Sequence, residues 1–295
     1  HGKHQRKAEA EHERVVQCDF VYLATTPKSH PGQQTTAQNE TSSCWAILFC
    51  DSRSNAVGGT VLGNKSDARA GKELHRFLDS IGATKTETPV CLRYDQEPAL
   101  RAVVRKVAAE RSGTAVCQEA PIGSHGSNGR VERSARTVQE MLRVHLSQCE
   151  SQFSEKPQAN TAEFAWLFRH CLWLINRFGT STPPMTQLTT RVEKGVLHRF
   201  GERVLAELPE NHRGQKLDAR WLPMKWLGKV GAEHIVGNGV RLEYVREARI
   251  CTEIGQRVEE VRVFPWASAV RAEDSKTEGC SGCHKGRGYH HTVAC

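Results

Sequence analysis

Apolar and polar residues alternate along the first half of the chain in a pattern that predicts strands and helices in turn. Short runs of β-branched and aromatic residues, bounded by polar or glycine-containing stretches, predict strands. Longer stretches with apolar residues every three or four positions predict helices. The predicted strands cover 15–23, 45–50, 56–62, 90–94 and 114–117, and the predicted helices cover 68–81 and 98–111. The pattern therefore predicts an α/β domain.

A glycine-rich stretch and a long amphipathic helix follow the fifth predicted strand. Residues 123–129 carry three glycines, which predicts a loop. Beyond this loop, the apolar residues of one helix face recur at steps of four, three and four: Val131, Ala135, Val138 and Leu142. The next stretch, 164–177, is apolar almost all round and predicts a buried or interfacial helix, which ends at the Ser-Thr-Pro-Pro of 181–184.

The residue pattern changes beyond position 197, where short β-like runs alternate with glycine and proline. The runs cover 203–208, 221–227, 234–236, 241–245 and 261–264, and they predict a small β-barrel-like module. The predicted organisation is a linker over 1–14, a core domain over 15–182, a β-rich module over 197–266 and a flexible tail over 267–295. We expect the chain to be a segment of a longer protein.

Charge and composition narrow the classes of partner. The formal net charge is +8 with a pI near 9.0, which suits a polyanionic partner such as DNA. Residues 191–249 hold 12 Lys and Arg against 8 Asp and Glu and so carry half of this charge. No apolar stretch is long enough to predict a transmembrane helix or a secretory signal, so we expect no membrane partner. Most of the eleven cysteines stand singly in apolar runs, which indicates buried free thiols in a reducing, intracellular compartment.

Three acids occupy positions that together indicate metal chemistry on a phosphate. Asp19 lies within the first predicted strand, Asp95 ends the fourth, and Glu132 begins the helix after the glycine-rich loop. Polynucleotidyl transfer needs two Mg²⁺ or Mn²⁺ ions, roughly 3.5–4 Å apart, held by hard oxygen ligands. Taken singly, each acid has a structural explanation, as a satisfied strand acid, a turn residue before Pro98 and a first-turn helix acid. In this order and spacing they predict a catalytic metal site.

Two other acids compete for parts in this site. Asp51 ends the second predicted strand and is an alternative to Asp19, although an acid at a strand end is more often a turn residue. Glu97 follows Asp95 by two residues, and we interpret it as a first-turn residue of the next helix rather than a ligand.

The segments around the three acids resemble a known family. Cys18-Asp19-Phe20, Arg93 to Glu97 and Ser127 to Arg133 resemble the three acidic blocks of the retroviral-type integrase core. Further segments resemble copia-type retrotransposon integrases, which are parts of a Pol polyprotein: Ile175-Asn176-Arg177 with Thr182-Pro183, Leu197 to Gly201, Lys216 to Arg220, Trp226 to Gly228 and Val245 to Arg249. Where family members commonly carry Asn-Gly after the second acid, this chain has Gln96-Glu97.

The resemblance implies a fold and an activity. The implied fold is a ribonuclease H-like core, a five-stranded mixed sheet flanked by helices, followed by the small β-rich module. The implied activity is processing of the 3′ ends of retrotransposon DNA and their joining to target DNA, in the nucleus, by a homo-oligomer. It assigns Asp19, Asp95 and Glu132 as metal ligands, with Asn128 and Gly129 in the turn that delivers Glu132.

The polar side of the Glu132 helix is a candidate DNA contact. Arg133, Arg136, Gln139 and Arg143 project from this side, and Asn128 precedes it. Arginine meets phosphate backbones and gives affinity with little sequence reading. The alternative is an ordinary solvated helix face.

The cysteines and histidines of the tail form a candidate zinc site. The spacing Cys280-x2-Cys283-x6-His290-x4-Cys295 resembles a zinc knuckle, whose usual middle spacing is four. His291 or His284 could replace His290 as the nitrogen ligand of a tetrahedral Zn²⁺ site. The alternative is a tail that binds no metal.

Two further functional hypotheses stay open at the level of sequence. The chain could be a degenerate integrase-like fragment that binds nucleic acid without catalysis. It could also be a ribonuclease H-type nuclease that cleaves RNA–DNA hybrids, although the glycine-rich loop before Glu132 and the basic β-rich module favour the integrase.

Overall fold

The structure, a computed structural model, describes nine segments of the chain: 14–25, 43–83, 89–121, 128–154, 156–179, 183–188, 197–209, 217–239 and 241–251. Four sequence-based predictions lie wholly or largely outside these segments. They are the linker up to residue 13, the glycine-rich loop apart from its last residues, the β-like run 261–264 and the tail over 267–295.

A mixed five-stranded sheet forms the centre of the first half of the chain. Its strands are β1 (Arg14–Ala24), β2 (Ser43–Asp51), β3 (Val57–Leu62), β4 (Val90–Tyr94) and β5 (Ala115–Glu119). They lie in the order β3-β2-β1-β4-β5, with β2 and β3 antiparallel and with β1, β4 and β5 parallel. This strand order and the flanking helices confirm the predicted ribonuclease H-like fold class.

The sheet is flanked by helices, and all but the last, short one lie where the apolar spacing predicted a helix. They are α1 (Arg69–Ser80), α2 (Pro98–Glu110), α3 (Gly129–Phe153), α4 (Ala162–Phe178) and the short α5 (Pro184–Leu188). Leu74 and Leu78 of α1 pack with Leu100 and Val104 of α2 in one buried cluster against the sheet. Pro98 begins α2, where its missing N–H breaks no helical hydrogen bond.

Close packing of α1 on β3 explains why residue 58 is a glycine. A Cβ atom on Gly58 would lie 2.3 Å from the Phe77 ring, which no real packing tolerates. Phe77 in turn stacks on Phe49 of β2, with ring centroids 5.7 Å apart. Gly58 therefore permits the close approach of α1 to the sheet.

The two faces of β1 have different surroundings. Val16, Cys18 and Phe20 are buried in the cluster shared with α1 and α2. Because strand side chains alternate, Gln17 and Asp19 point to the opposite face, where Gln17 contacts the start of α3. Asp19 therefore lies on the face of the central strand that the Glu132 helix covers.

A second sheet is antiparallel throughout. Its strands are β6 (Arg203–Glu207), β7 (Trp221–Val230), β8 (Glu233–Gly237), β9 (Leu242–Val245) and β10 (Ala248–Ile250), in the order β10-β6-β7-β8-β9. Val204, Trp226 and Val236 belong to its buried cluster. Four of these strands follow predicted runs, whereas β10 was not predicted, because three residues are too few to show an alternating pattern.

The chain divides into two compact units. Within the described segments, the first unit contains 14–23, 45–139 and 172–188, and the second contains 140–171 and 197–251 with the residues flanking the β1–β2 connection. Asp19, Asp95 and Glu132 all belong to the first unit.

Two further properties concern the thiols and the helices. The cysteines of the described segments are free thiols, and Cys117 is exposed rather than buried as expected, because β5 is an edge strand of the sheet. Among the helices that the structure describes, none combines the length and apolarity needed to cross a lipid bilayer.

Candidate active site

Asp19 and Asp95 lie at the same level of two neighbouring parallel strands. Cys18 of β1 pairs in register with Tyr94, the last residue of β4. The next residue on each strand is an acid, so the register places Asp19 beside Asp95. The Asp95 carboxylate also accepts a hydrogen bond of 3.1 Å from the backbone N–H of Glu97, which holds the turn into α2.

Glu132 reaches the same region from the first turn of α3. Its backbone N–H donates to the carbonyl of Asn128 at 3.1 Å, which is the first helical hydrogen bond. The Asn128 amide donates to the carbonyl of Cys18 at 3.2 Å, so the start of α3 is attached to β1 directly beside Asp19. The Asn128 side chain is therefore buried, at 6% exposure, against the strand.

Gln17 makes a second attachment between β1 and α3 that the sequence did not predict. Its side-chain oxygen accepts hydrogen bonds from the backbone N–H groups of Arg130, at 3.0 Å, and Val131, at 3.1 Å. A polar residue two positions before a strand acid, on the same face, was the only sequence signal for it. Gln17 and Asn128 together place Glu132 near the strand that carries Asp19.

The charges of Asp95 and Glu132 act on Asp19. The pKa of Asp19 is raised from 3.8 to about 7, first by burial, then by the charge of Asp95, with smaller contributions from Glu132 and Glu97. The backbone N–H of Phe20 opposes this rise by hydrogen bonding to the carboxylate. The structure thus brings the three acids within electrostatic reach, and Asp19 would be about half protonated at neutral pH.

The three carboxylates are the kind of donor that a divalent cation prefers, but their arrangement does not form a complete metal site. Carboxylate oxygens are the ligands that Mg²⁺ and Mn²⁺ prefer, and a cation would relieve the repulsion that raises the pKa of Asp19. Within the described segments, however, no three His, Cys, Asp or Glu side chains converge closely enough to hold a metal ion. The acids therefore fit the cation by charge and donor type but not yet by geometry.

Asp51 has a structural part instead. It is fully buried, and its two carboxylate oxygens accept hydrogen bonds of 2.9 Å from the Arg14 guanidinium. The hydroxyl and backbone N–H of Ser54 donate to it as well. These partners outweigh burial and lower the pKa of the Asp51 carboxyl. Arg14, expected in the linker, is the first residue of β1.

Glu97 lies at the start of α2. It is the N-cap residue, one position before the first helical turn, and its carbonyl accepts the first helical hydrogen bond from Arg101. Its carboxylate pairs with the Lys65 ammonium at 2.5 Å, and Lys65 also lies 3.9 Å from the centre of the Trp45 ring. No local sequence pattern indicated Lys65, which meets Glu97 only through the fold.

The polar side chains of α3 are mostly open to solvent. Arg133, Arg136 and Arg143 are exposed, and Gln139 is partly buried. Asn128, grouped with them by sequence, is occupied with Cys18 instead. A DNA contact by these side chains stays a prediction, as does the solvated-face alternative. The candidate zinc ligands Cys280, Cys283, His290 and Cys295 lie outside the described residues.

Comparison with known proteins gives likenesses among solved structures. No protein-family model and no curated protein matches the chain. The HTLV-2 integrase catalytic core domain in complex with magnesium shares 14% identity over 59% of this chain and 94% of that chain, with a TM-score of 0.40. A simian T-cell lymphotropic virus intasome in complex with the PP2A regulatory subunit B56 gamma shares 15% identity over 82% and 79%, with a TM-score of 0.40. The BIV integrase core shares 13% over 59% and 92%, at 0.39. Because all these scores are below 0.5, we assign function from the residues of this chain.

Proposed function

We propose that this chain is an integrase, a polynucleotidyl transferase that depends on Mg²⁺ or Mn²⁺ and joins DNA ends to target DNA. The observation that carries this proposal is the register that places Asp19 beside Asp95 on a ribonuclease H-like sheet, with the start of the Glu132 helix hydrogen-bonded to the strand of Asp19. Asp19 lies in β1, Asp95 directly follows β4 and Glu132 lies in the first turn of α3, and three carboxylates are donors that favour divalent-cation chemistry. The resemblance of the surrounding segments to the integrase blocks supports the same assignment.

The acids would work by holding two divalent cations against a phosphodiester. Bound ions would supply charge for the phosphate oxygens and lower the pKa of the attacking water or 3′-hydroxyl. Asp19 must lose its proton to take part, and neutral pH is close to its pKa of about 7. Asp95 and Glu132 would complete the ligand set once their side chains close on the substrate.

DNA is the proposed partner, as both element end and target. The +8 charge favours a polyanion, and Arg133 and Arg136 are exposed on the helix that carries Glu132. These arginines would contact phosphates and so give affinity rather than sequence selection. We further propose a homo-oligomer, because two DNA ends must be joined in one event.

The resemblance beyond the core supports a copia-type retrotransposon as the source of the DNA. The segments around Trp226 and Ala248, which resemble that group, lie in β7 and β10 of the second sheet. We propose that the chain is part of a Pol polyprotein and acts in the nucleus, where the target DNA is. A Zn²⁺ site in the tail would add a second nucleic-acid contact.

A strand-transfer assay tests the proposal. The purified chain is incubated with Mn²⁺, a plasmid and a labelled duplex with a recessed 3′-hydroxyl, beside an Asp95→Asn variant. We expect joined products from the wild type and at least a thousandfold less from the variant. A parallel reaction with an RNA–DNA hybrid separates a ribonuclease H, which would cleave the hybrid and join nothing.

The same assay distinguishes an inactive relic. If no joined product forms although DNA binding persists and weakens with salt, the chain is a nucleic-acid-binding fragment and the catalytic proposal is wrong.

A further inference from the structure

We propose that Gln17 is the positioning residue for Glu132: its amide oxygen caps α3 from the neighbouring strand and so fixes where the helix, and with it Glu132, begins. The assignment of a catalytic purpose to this contact rests on the proposed function. The contact itself is a property of the first unit, to which Gln17 and Glu132 both belong.

The start of α3 lacks the cap that its own sequence offers. Asn128 is the N-cap residue, because its carbonyl accepts the first helical hydrogen bond from Glu132. An N-cap asparagine ordinarily accepts hydrogen bonds from the next N–H groups through its side-chain oxygen. Here the Asn128 side chain turns its amide to Cys18, and its oxygen has no hydrogen-bond partner among the described residues.

Gln17 supplies the missing acceptor from 113 residues away in the chain. Its oxygen lies 3.0 Å from the N–H of Arg130 and 3.1 Å from that of Val131, the two N–H groups that an N-cap side chain would satisfy. Gln17 is 2% exposed, so water does not compete for this oxygen. Glu132 is the residue that follows the second of these N–H groups.

A neutral amide suits position 17 better than a carboxylate would. It lies two residues before Asp19 on the same strand face, where Asp95 and Glu132 already raise the pKa of Asp19. A carboxylate there would accept the same two hydrogen bonds but would add a fourth negative charge. Glutamine provides the acceptor without the charge. Ser or Thr, the usual caps, would be too short to reach from the strand.

Two attachments of opposite direction result. The Asn128 amide donates to the Cys18 carbonyl of β1, and the Gln17 oxygen on β1 accepts from α3. The start of the helix can then neither slide along the strand nor rotate without breaking a buried hydrogen bond. These contacts fix the backbone of Glu132 relative to Asp19.

Amide hydrogen exchange tests the contact without any catalytic readout. In Gln17→Met, which keeps the size but removes the acceptor, we expect the Arg130 and Val131 amides to exchange at least tenfold faster. The Val138 amide, farther along the same helix, should change less than threefold. Gln17→Glu, which keeps an acceptor, should restore protection. Unchanged exchange at Arg130 and Val131 in Gln17→Met would overturn the proposal, and so would an equal rise at Val138.

The metal dependence of joining tests the purpose of the contact. We expect Gln17→Met to need about tenfold more Mn²⁺ for half-maximal joining, with much of kcat recovered at saturating Mn²⁺. Val104→Ala, a cavity variant in α2 far from the cap, is a control for lost stability and should keep the wild-type Mn²⁺ requirement. A wild-type Mn²⁺ requirement in Gln17→Met would contradict positioning.

The two proposals fail separately. If the wild-type chain joins no DNA, the proposed function is wrong, and the exchange rates alone decide whether Gln17 sets the start of α3. If the wild type joins DNA but Gln17→Met behaves as wild type in both measurements, only the inference about Gln17 is wrong.

Discussion

At the scale of single residues, the raised pKa of Asp19 affects the free energy of unfolding as well as the proposed chemistry. Its pKa of about 7 lies above the ordinary 3.8 because burial and Asp95 disfavour the charged form. A carboxyl with a raised pKa in the folded chain stabilises the fold at low pH, where it is protonated in both states. That stability is lost as the pH rises from about 3.8 through about 7.

The first prediction is that Asp19→Asn stabilises the apo protein at high pH. At pH 8 the neutral amide should raise the free energy of unfolding by about 1–3 kcal/mol, a figure reduced for partial solvent access. At pH 4 the gain should vanish, because wild-type Asp19 is then largely protonated in the folded chain. Urea denaturation at both pH values measures this, with exposed Asp79→Asn as the control. A gain that is equal at both pH values would contradict a raised pKa.

The second prediction separates Asp51 from the metal ligands. Asp51 and Arg14 form a buried ion pair, so Arg14→Met leaves a buried carboxylate without its partner. The free energy of unfolding should fall by about 3–5 kcal/mol. Breaking the exposed Lys106–Glu110 pair by Lys106→Met should change it by less than about 1 kcal/mol. If Asp51→Asn kept wild-type stability but lost joining, Asp51 would be a ligand after all.

At the residue scale, prediction from sequence depended on local signals. Asp19 was recognisable as an acid inside an apolar strand, and the structure couples it to Asp95 and Glu132. Gln17 was not recognisable, because its partners are N–H groups of a helix that only the fold brings next to β1. Side-chain to backbone contacts of this kind leave no periodic trace in the sequence.

Among the helices and strands, α3 is the element that we expect to contact DNA. The third prediction is that Arg133→Gln with Arg136→Gln weakens DNA binding and reduces its salt dependence. Each lost phosphate contact should lower the slope of log K against log salt by about 0.9. Fluorescence anisotropy over a range of NaCl concentrations measures the slope.

A control double variant removes the same number of positive charges from another helix. Arg105→Gln with Lys106→Gln removes two charges from exposed positions on α2. The slope should then stay close to that of the wild type. Equal losses in both double variants would show that net charge, rather than the α3 face, governs binding.

The second unit contains a cluster of histidines around Trp226. The rings of His170 and Trp226 lie 5.4 Å apart, and those of His198 and Trp226 lie 5.9 Å apart. The indole N–H of Trp226 donates to His234 at 3.0 Å. Burial lowers the pKa of His170 to about 3 and that of His234 to about 4. The rings of His170 and His234 are therefore neutral members of an aromatic core at physiological pH.

The fourth prediction is that this unit loses stability on acidification. A histidine with a lowered pKa stabilises the fold above its unfolded value near 6.5, and this contribution is lost as pH falls toward about 3. His170→Phe should therefore lessen the loss between pH 7 and pH 4.5 by about 2 kcal/mol. Tryptophan fluorescence in urea reports it, and His75→Gln on α1 is the control. Identical acid sensitivity of wild type and His170→Phe would be evidence against a depressed pKa.

Element-level prediction was reliable for long periodic segments and weak for short ones. β4 begins and ends where the pattern placed it. α1 is one residue shorter than predicted at each end, whereas α2 begins as predicted and ends one residue earlier. β10 was missed because Ala248–Ile250 is held by pairing with β6, a contact distant in sequence. Cys117 was expected to be buried, but only one side of β5 has a neighbouring strand.

For the molecule as a whole, the order of strands and helices was predictable and the arrangement of the acids only in part. The strand order β3-β2-β1-β4-β5 follows from the sequence of elements together with the family resemblance. Whether three carboxylates converge on a cation depends on side-chain geometry, which cannot be derived from their spacing in the sequence. In the described residues they interact electrostatically but do not yet form a three-ligand site.

The fifth prediction is that the three acids act as one unit in DNA joining. Asp19→Asn, Asp95→Asn and Glu132→Gln should each lower single-turnover joining by at least a thousandfold. A double variant should be no worse than either single variant, because residues of one catalytic unit are not additive. Glu140→Gln, an exposed acid on the same helix as Glu132, should join DNA as the wild type does.

The most direct measurement is therefore single-turnover joining of a recessed 3′ end to plasmid DNA in Mn²⁺ by the wild type and these four variants in parallel. Joining by the wild type and Glu140→Gln, with loss in all three acid variants, is the predicted result. Wild-type joining that persists in any one of Asp19→Asn, Asp95→Asn or Glu132→Gln would contradict a shared three-acid site.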